Sequence, residues 1–285
     1  MRPVAHPLPY RPWSGGPFRW RLGLRPLDPD DWIERSADHA EQMAAKAAVL
    51  ARHHDTAVVV ADDVIAEATE VLGALVDHLG RRFPDEPVVP DTTVHPLDAA
   101  GRLVTEDLVL LVERDGGLVV GGGSVCFPNR WDLRSKLGRT MAEVHAPVPR
   151  LDEQLAGPID GVLTRLRPER GYWRLGWGVL DTGELYQAVD GTAPPRPGAH
   201  GVDQLTAADI HVRVERETLR RFPETSCVLF TIRTHVAPLT SITADPDDAG
   251  RLAAAIAALP SDVAAYKQLD DLGERVLAEL RRSSS

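Results

Sequence analysis

Cysteine is nearly absent: the 285 residues carry only Cys126 and Cys227. Two thiols cannot hold a four-thiolate iron–sulfur cluster, so any such cluster serving this chain belongs to another one. No secretory leader is visible either, since Met1 to Trp13 holds prolines and polar residues where a leader needs an apolar stretch. The expectation is a reduced, cytoplasmic setting. Long apolar runs are missing, none approaching the roughly 20 residues of a membrane span. Positive charge is in deficit: 32 Lys and Arg against 42 Asp and Glu give −10. Such a surface repels phosphate backbones and argues against nucleic acid as a partner. Zinc-type spacing is lacking too, because none of the ten histidines sits in a His-Glu-x-x-His array or a Cys/His cluster.

What is present is the composition of a globular protein, 43% hydrophobic and 26% charged, with 23 Pro and 23 Gly scattered among apolar runs. A chain of this size buries roughly 75% of its unfolded surface. With no internal repeat and no long linker, one domain over 1–285 is expected. Residues 1–29 place Tyr10, Trp13, Phe18 and Trp20 close together and read as an irregular arm packed on the body. Two basic clusters, Arg165-Arg167-Arg170-Arg174 and Arg213-Arg216-Arg220-Arg221, read as solvated faces.

Helices are predicted over 36–52, capped by Ser36 and closed by His53-His54-Asp55. Another is predicted over 62–80, where Val64, Ala68, Val71, Leu72, Leu75, Val76 and Leu79 share a face and Pro84 enforces the stop. Strands at 108–112 and 118–125 flank Asp115-Gly116-Gly117, a hairpin signal. Gly121-Gly122-Gly123 lacks the Lys-Ser/Thr and the helix of a phosphate loop, so it marks a bulge or a close backbone approach. A helix follows over 151–166, with Leu151, Leu155, Ile159, Val162 and Leu166 on one face. Strands come next at about 172–181 and 209–216, and in a third Val228, Phe230 and Ile232 alternate with Leu229, Thr231 and Arg233. Two C-terminal helices, about 247–258 and 262–282, close the chain, the second capped by Ser261. Without βαβα alternation the class is α+β, helices around a mostly antiparallel sheet.

Among the histidines, His53, His54 and His78 are expected at exposed helix ends, and His6, His95 and His200 in loops. His39, His211 and His235 fall within ordinary elements. His145 stands apart, because Ala146-Pro147-Val148-Pro149 follows it and proline fixes the backbone direction there. An imidazole held that way can serve as an axial haem ligand, but from position alone a core or capping role is the commoner one.

The order of several short segments carries more. Phe18-Arg19-Trp20 precedes Gly23-Leu24-Arg25-Pro26-Leu27, then come Phe83-Pro84, Glu106-Asp107-Leu108, Phe127-Pro128 with Trp131, Lys136 with Gly138, and His145 with Pro147-Val148-Pro149. Trp177, Arg213 with Glu215-Arg216, Thr218-Leu219, Arg221 with Pro223, Phe230-Thr231-Ile232-Arg233 and Tyr266-Lys267 complete the series. The ordered set resembles the alpha subunit of haem-dependent oxidative N-demethylase over nearly the whole chain. Departures are Gly176 where that family carries Asn, Glu217 for Gln, and Phe222 for Leu.

The resemblance implies a PAS-like, curved antiparallel sheet with helices clasping haem b, and an iron that uses O2 to oxidise a C–H bond beside an amine nitrogen. The carbinolamine so formed collapses to an aldehyde and a shorter amine. Electrons would come from a separate flavin and iron–sulfur reductase or a ferredoxin. It also implies roles. His145 is the proximal ligand, and Arg213, Arg216 and Lys136 are cations for the haem propionates. Glu106, Asp107 and Glu215 are carboxylates available to a cationic amine, with an internal ion-pair network as the other reading of Glu215. Trp131 and Trp177 wall the pocket or belong to the core. The competing class is a haem PAS sensor of gas or redox state. Sensors feed an output domain, and the short closing helix with Ser283-Ser284-Ser285 favours the enzyme.

Overall fold

A computed structural model describes residues 6–13, 17–115, 117–189 and 201–283. His200, Gly116 and the last two serines lie outside them. Seven strands form one open sheet in the order β1-β5-β6-β7-β3-β4-β2, every neighbouring pair antiparallel. They are β1 (Arg25–Pro26), β2 (Val58–Val60), β3 (Asp107–Arg114), β4 (Gly117–Ser124), β5 (Tyr172–Leu180), β6 (His211–Arg221) and β7 (Val228–Pro238). The expected mixture of helices and antiparallel sheet is what is found.

Helices cover both faces. One face carries α5 (Leu151–Arg165) and the short α4 (Met141–His145). Their Leu163, Ile159, Met141 and Val144 pack with Val109, Leu111 and Val228 of the sheet. The opposite face carries α2 (Ile65–Arg82) and α3 (Pro96–Gly101) over β3. Beside them α7 (Pro246–Ala257) and α9 (Leu272–Ser283) lie over β5 to β7. In α2 the predicted stripe is the buried one: Val64, Ala68, Val71, Leu75 and Leu79 are at most 1% exposed. The triple glycine answers both expectations. Gly121 has no partner where the β3–β4 register slips between Leu110 and Leu111. A Cβ on Gly123 would stand 2.7 Å from the Leu108 carbonyl oxygen, and one on Gly122 2.9 Å from that of Val59.

Several expectations are corrected. Helix α1 (His39–Ala57) begins after Asp38, not Ser36, and runs past His53, where the backbone kinks. The second C-terminal helix is two, α8 (Ser261–Tyr266) and α9, because Gln268 turns into the left-handed region at φ 56°. The cap of α8 is Pro260, with Ser261 as its first residue. The arm ends in β1, paired to the edge of β5, and β6 continues to Arg221 because the charged residues that looked like its end stay paired to β7. The second arginine cluster is no solvated face, since Arg213 and Arg216 are buried.

His78 is the sharpest correction. It is 2% exposed, edge-on to Trp32 with centroids 5.2 Å apart, and neither ring nitrogen finds a hydrogen-bond partner. Burial, reinforced by Arg81 and Arg220, pushes its pKa down to about 4 from 6.5. The folded state thus resists a proton that the unfolded chain accepts, so stability falls as pH drops from 6.5 toward 4. The full loss is about 3 kcal/mol, at roughly 1.4 kcal/mol per pKa unit. Urea denaturation at pH 7.0, 5.5 and 4.5 should show that decline, and His78→Leu should flatten it.

Candidate functional site

Strand alternation makes the site. On the α5 face, neighbouring residues of β5, β6 and β7 form rows: Tyr172–Leu219–Phe230, Arg174–Glu217–Ile232, Gly176–Glu215–Thr234 and Gly178–Arg213–Val236. Central strands covered on both sides bury both sets of side chains. Here the α7 face of β7 is buried throughout 229–237, whereas Phe230, Ile232 and Val236 on the α5 face are only half-buried, as are Leu219 and Tyr172. Tyr172, Leu219 and Phe230 pack with Leu163, Ile159 and Val144 of the cover, yet this floor of apolar and charged rows stays incompletely covered. Gly178 says the same, because a Cβ there would meet nothing within 4 Å.

The cover over this floor is residues 128–150 with α5. Half-buried Trp131, Met141 and Val144 pack toward the sheet cluster. His145 is the last residue of α4 and half-buried, and its segment is fixed at both ends. Thr140 and Glu143 form a capping box: the Glu143 carboxylate accepts from the Thr140 amide at 2.9 Å, and the Glu143 amide donates to the Thr140 hydroxyl at 3.3 Å. The Lys136 ammonium donates to the Val144 carbonyl at 3.4 Å. Beyond the helix, the Val148 amide closes a turn on the His145 carbonyl at 2.8 Å, and the Trp20 indole N–H donates to the Pro149 carbonyl at 2.8 Å.

The sequence-predicted residues divide. Trp131, Lys136 and His145 sit in the cover, and Glu215 and Arg213 on the floor. Arg213 is fully buried and saturated: it donates to Glu215 at 2.7 Å, to the Thr234 hydroxyl at 3.1 Å, and to the Phe127 and Leu185 carbonyls. Glu215 keeps 22% of its side chain exposed. Arg216, an odd number of residues from Arg213, points the other way. There it binds the Asp31 and Trp32 carbonyls, pairs with Glu34 at 3.4 Å and lines a separate cleft of about 480 Å³ with Tyr10, Trp173 and His235. Trp177 likewise packs toward α7 and Trp13.

The other two carboxylates work inside the fold. Asp107 accepts from the Cys126 and Phe127 amides at 2.7 and 2.9 Å, with the Lys46 ammonium 3.9 Å away. Burial raises its pKa. Glu106 accepts from the Glu34 amide at 2.9 Å and is wholly buried. Asp107 stands beside Ile232 in a row of the same face but is buried there by its amide donors, and Glu106 lies buried beside Glu34.

Three residues were not singled out for the site. Arg174 pairs with Glu217 at 2.5 Å, and burial, with Glu215 nearby, raises the Glu217 carboxyl pKa. Lys267 reaches the edge of β5, where it donates to the Trp177 carbonyl at 2.8 Å. The alternation of 172–180 would have placed Arg174 with Gly176 and Gly178; Lys267 stands among the ordered segments that carry the resemblance, with no role attached to it there.

For a flat, largely apolar prosthetic group this face offers the half-buried Phe230, Ile232 and Val236, the unfilled place over Gly178 and the half-buried His145 imidazole. Among the described residues no three His, Cys, Asp or Glu side chains gather to hold a bare metal ion, whereas a macrocycle brings most of its iron's ligands itself. No helix among the described residues is long and apolar enough to cross a membrane. A family model for the haem-dependent oxidative N-demethylase, alpha subunit-like, matches residues 23–86 and 85–277. Those matches take in the floor, the cover and Lys267, and with them the chain belongs to the haem-dependent oxidative N-demethylase alpha subunit-like family.

Proposed function

We propose that the α5 face binds haem b with His145 as proximal ligand, in a PAS-like clasp of sheet and helices. The chain then oxidises an amine or another nitrogen-bearing small molecule, using O2 and electrons from a separate flavin and iron–sulfur reductase or ferredoxin in the cytoplasm. Family membership carries haem dependence and an oxidative N-demethylase-like activity, and its alpha-subunit name an assembly with other subunits. The observation that carries the reading within this chain is the half-buried apolar floor on central strands beneath the segment that fixes His145.

Haem bound there supplies an iron that activates oxygen toward a C–H bond next to nitrogen. The chain's own residues do the rest. Phe230, Ile232 and Leu219 bind the macrocycle by apolar contact and exclude water. Trp131 walls the pocket, and Lys136 steadies α4 through the Val144 carbonyl. Glu215 is the carboxylate we place against a cationic amine, because an ammonium taken from water without a partner is costly. Arg213 holds Glu215 in position.

Haem titration of the purified protein, followed by acid–acetone extraction, tests the reading. A Soret band that saturates at one haem per chain and a pigment that extracts are expected; a protein that stays colourless removes the proposal. Amines should then shift the spectrum, and Glu215→Gln should weaken that response about tenfold, the range of one hydrogen bond to a charged group, at unchanged haem content. Haem binding without amine turnover in the presence of a ferredoxin–reductase pair would instead identify a sensor of the same fold.

A further inference from the structure

The charges on the α5 face do not balance. Arg213 is paired with Glu215, Arg174 with Glu217 and Lys46 with Asp107, which leaves Lys267, at the edge of β5, as the cation without a carboxylate of its own. Among the described residues no carboxylate lies within 4 Å of its ammonium. Its recorded hydrogen bond goes to the neutral Trp177 carbonyl, and the rings of Trp177 and Trp20 flank it at 5.2 and 6.0 Å to their centroids. Burial and Arg174 depress its pKa, with Glu215 opposing them. An ammonium enclosed by protein is stable only with a counter-charge, and the nearest one on this face is already engaged.

Space for a counter-charge exists beside it. Gly178 leaves β5 bare on this face beside the residue whose carbonyl Lys267 binds, whereas the Glu217 and Glu215 carboxylates stand over Gly176, 3.1 and 3.6 Å from where a Cβ would sit. A Cβ on Gly178 would touch nothing within 4 Å. Arg174, further along β5, keeps 35% of its side chain exposed although it is paired, so it retains donors for a second acceptor.

We infer that Lys267 anchors a carboxylate subsite over Gly178, at the edge of the floor, with Arg174 as the next cation along β5. The carboxylate is either a haem propionate or one carried by the amine substrate. The first source rests on the haem reading above; the second does not.

Methyl esters separate the sources. Wild-type protein, Lys267→Met and Lys267→Arg are titrated with haem and with haem dimethyl ester, whose propionates carry no charge. For a propionate subsite, Lys267→Met weakens haem about tenfold or more, the range of a charged hydrogen bond. The same change leaves the ester unaffected, and Lys267→Arg recovers most of the loss. For a substrate subsite, calorimetry finds N,N-dimethylglycine bound more tightly than dimethylamine, and Lys267→Met erases the preference while haem affinity is unchanged. This second arm needs no haem, so a chain that fails to bind haem still tests the subsite. Gly178→Val, which fills the space without touching a charge, should weaken the same ligand as Lys267→Met. If haem, its ester and dimethylglycine all bind Lys267→Met and Gly178→Val as they bind the wild type, there is no subsite and Lys267 is only a tether between arm and C-terminal segment.

Discussion

Alanine at position 145 should leave a protein that folds and loses its haem. His145 ends a five-residue helix and is only half-buried, so its removal opens no core cavity. The capping box at Thr140 and Glu143 and the Trp20–Pro149 bond are backbone-directed and survive the change. We expect haem affinity to fall about 100-fold, close to 3 kcal/mol, with a melting temperature near that of the wild type. Added imidazole should restore part of the Soret intensity by standing in for the missing ring. An unchanged spectrum in His145→Ala would mean that another residue holds the iron and that the prolines merely shape the loop.

The largest effect on stability should come from β3, the strand next to β7. Asp107 and Lys46 are each 1% exposed, and both serve the backbone. Asp107 takes the Cys126 and Phe127 amides, while Lys46 takes the Val104 and Glu106 carbonyls. Asp107→Ala leaves a buried ammonium uncompensated and two amides unmet. Breaking a buried pair from one side costs about 3–5 kcal/mol, a large share of the roughly 5–15 kcal/mol by which domains are stable. Urea melts should show Asp107→Ala well below wild type or insoluble. The double variant Lys46→Met/Asp107→Ala should be less impaired than the sum of the two single variants predicts. Strict additivity would mean that the two groups do not stabilise one another.

These two positions mark what the sequence could and could not show. The apolar stripe of α2 and the strands around Val212, Val214 and Phe230 were legible, because periodicity follows from backbone geometry alone. The same rule shows that Arg213 and Arg216 face opposite ways, yet family order presents them as one cluster, and only the register separates them. The hydrogen bonds of Asp107 join residues 19 and 20 positions apart across two strands, so a buried structural carboxylate and a substrate anchor look alike in sequence. Lys267 was named in the ordered segments, but its role was illegible for a related reason: its surroundings come from Trp20 and Trp177, 247 and 90 residues away. His78 looked exposed because it sits near a helix end, and only the packing of Trp32 and Phe222 around it decides otherwise.

The path of the arm bears on the order of folding. Leu8 and Trp13 pack on the α7 face, with the Trp13 indole bonded to Asp248 at 2.8 Å, while Trp20 reaches the cover of the opposite face and β1 pairs to the edge between them. Trp13 and Asp248 are 235 residues apart. During synthesis the arm emerges first but cannot meet Asp248 until most of the chain has followed, and contacts of such separation form late. The strands of the floor and the cover precede Asp248 in the chain, while Lys267 follows it. Docking of the arm, which touches both faces, therefore belongs to the last stage of folding.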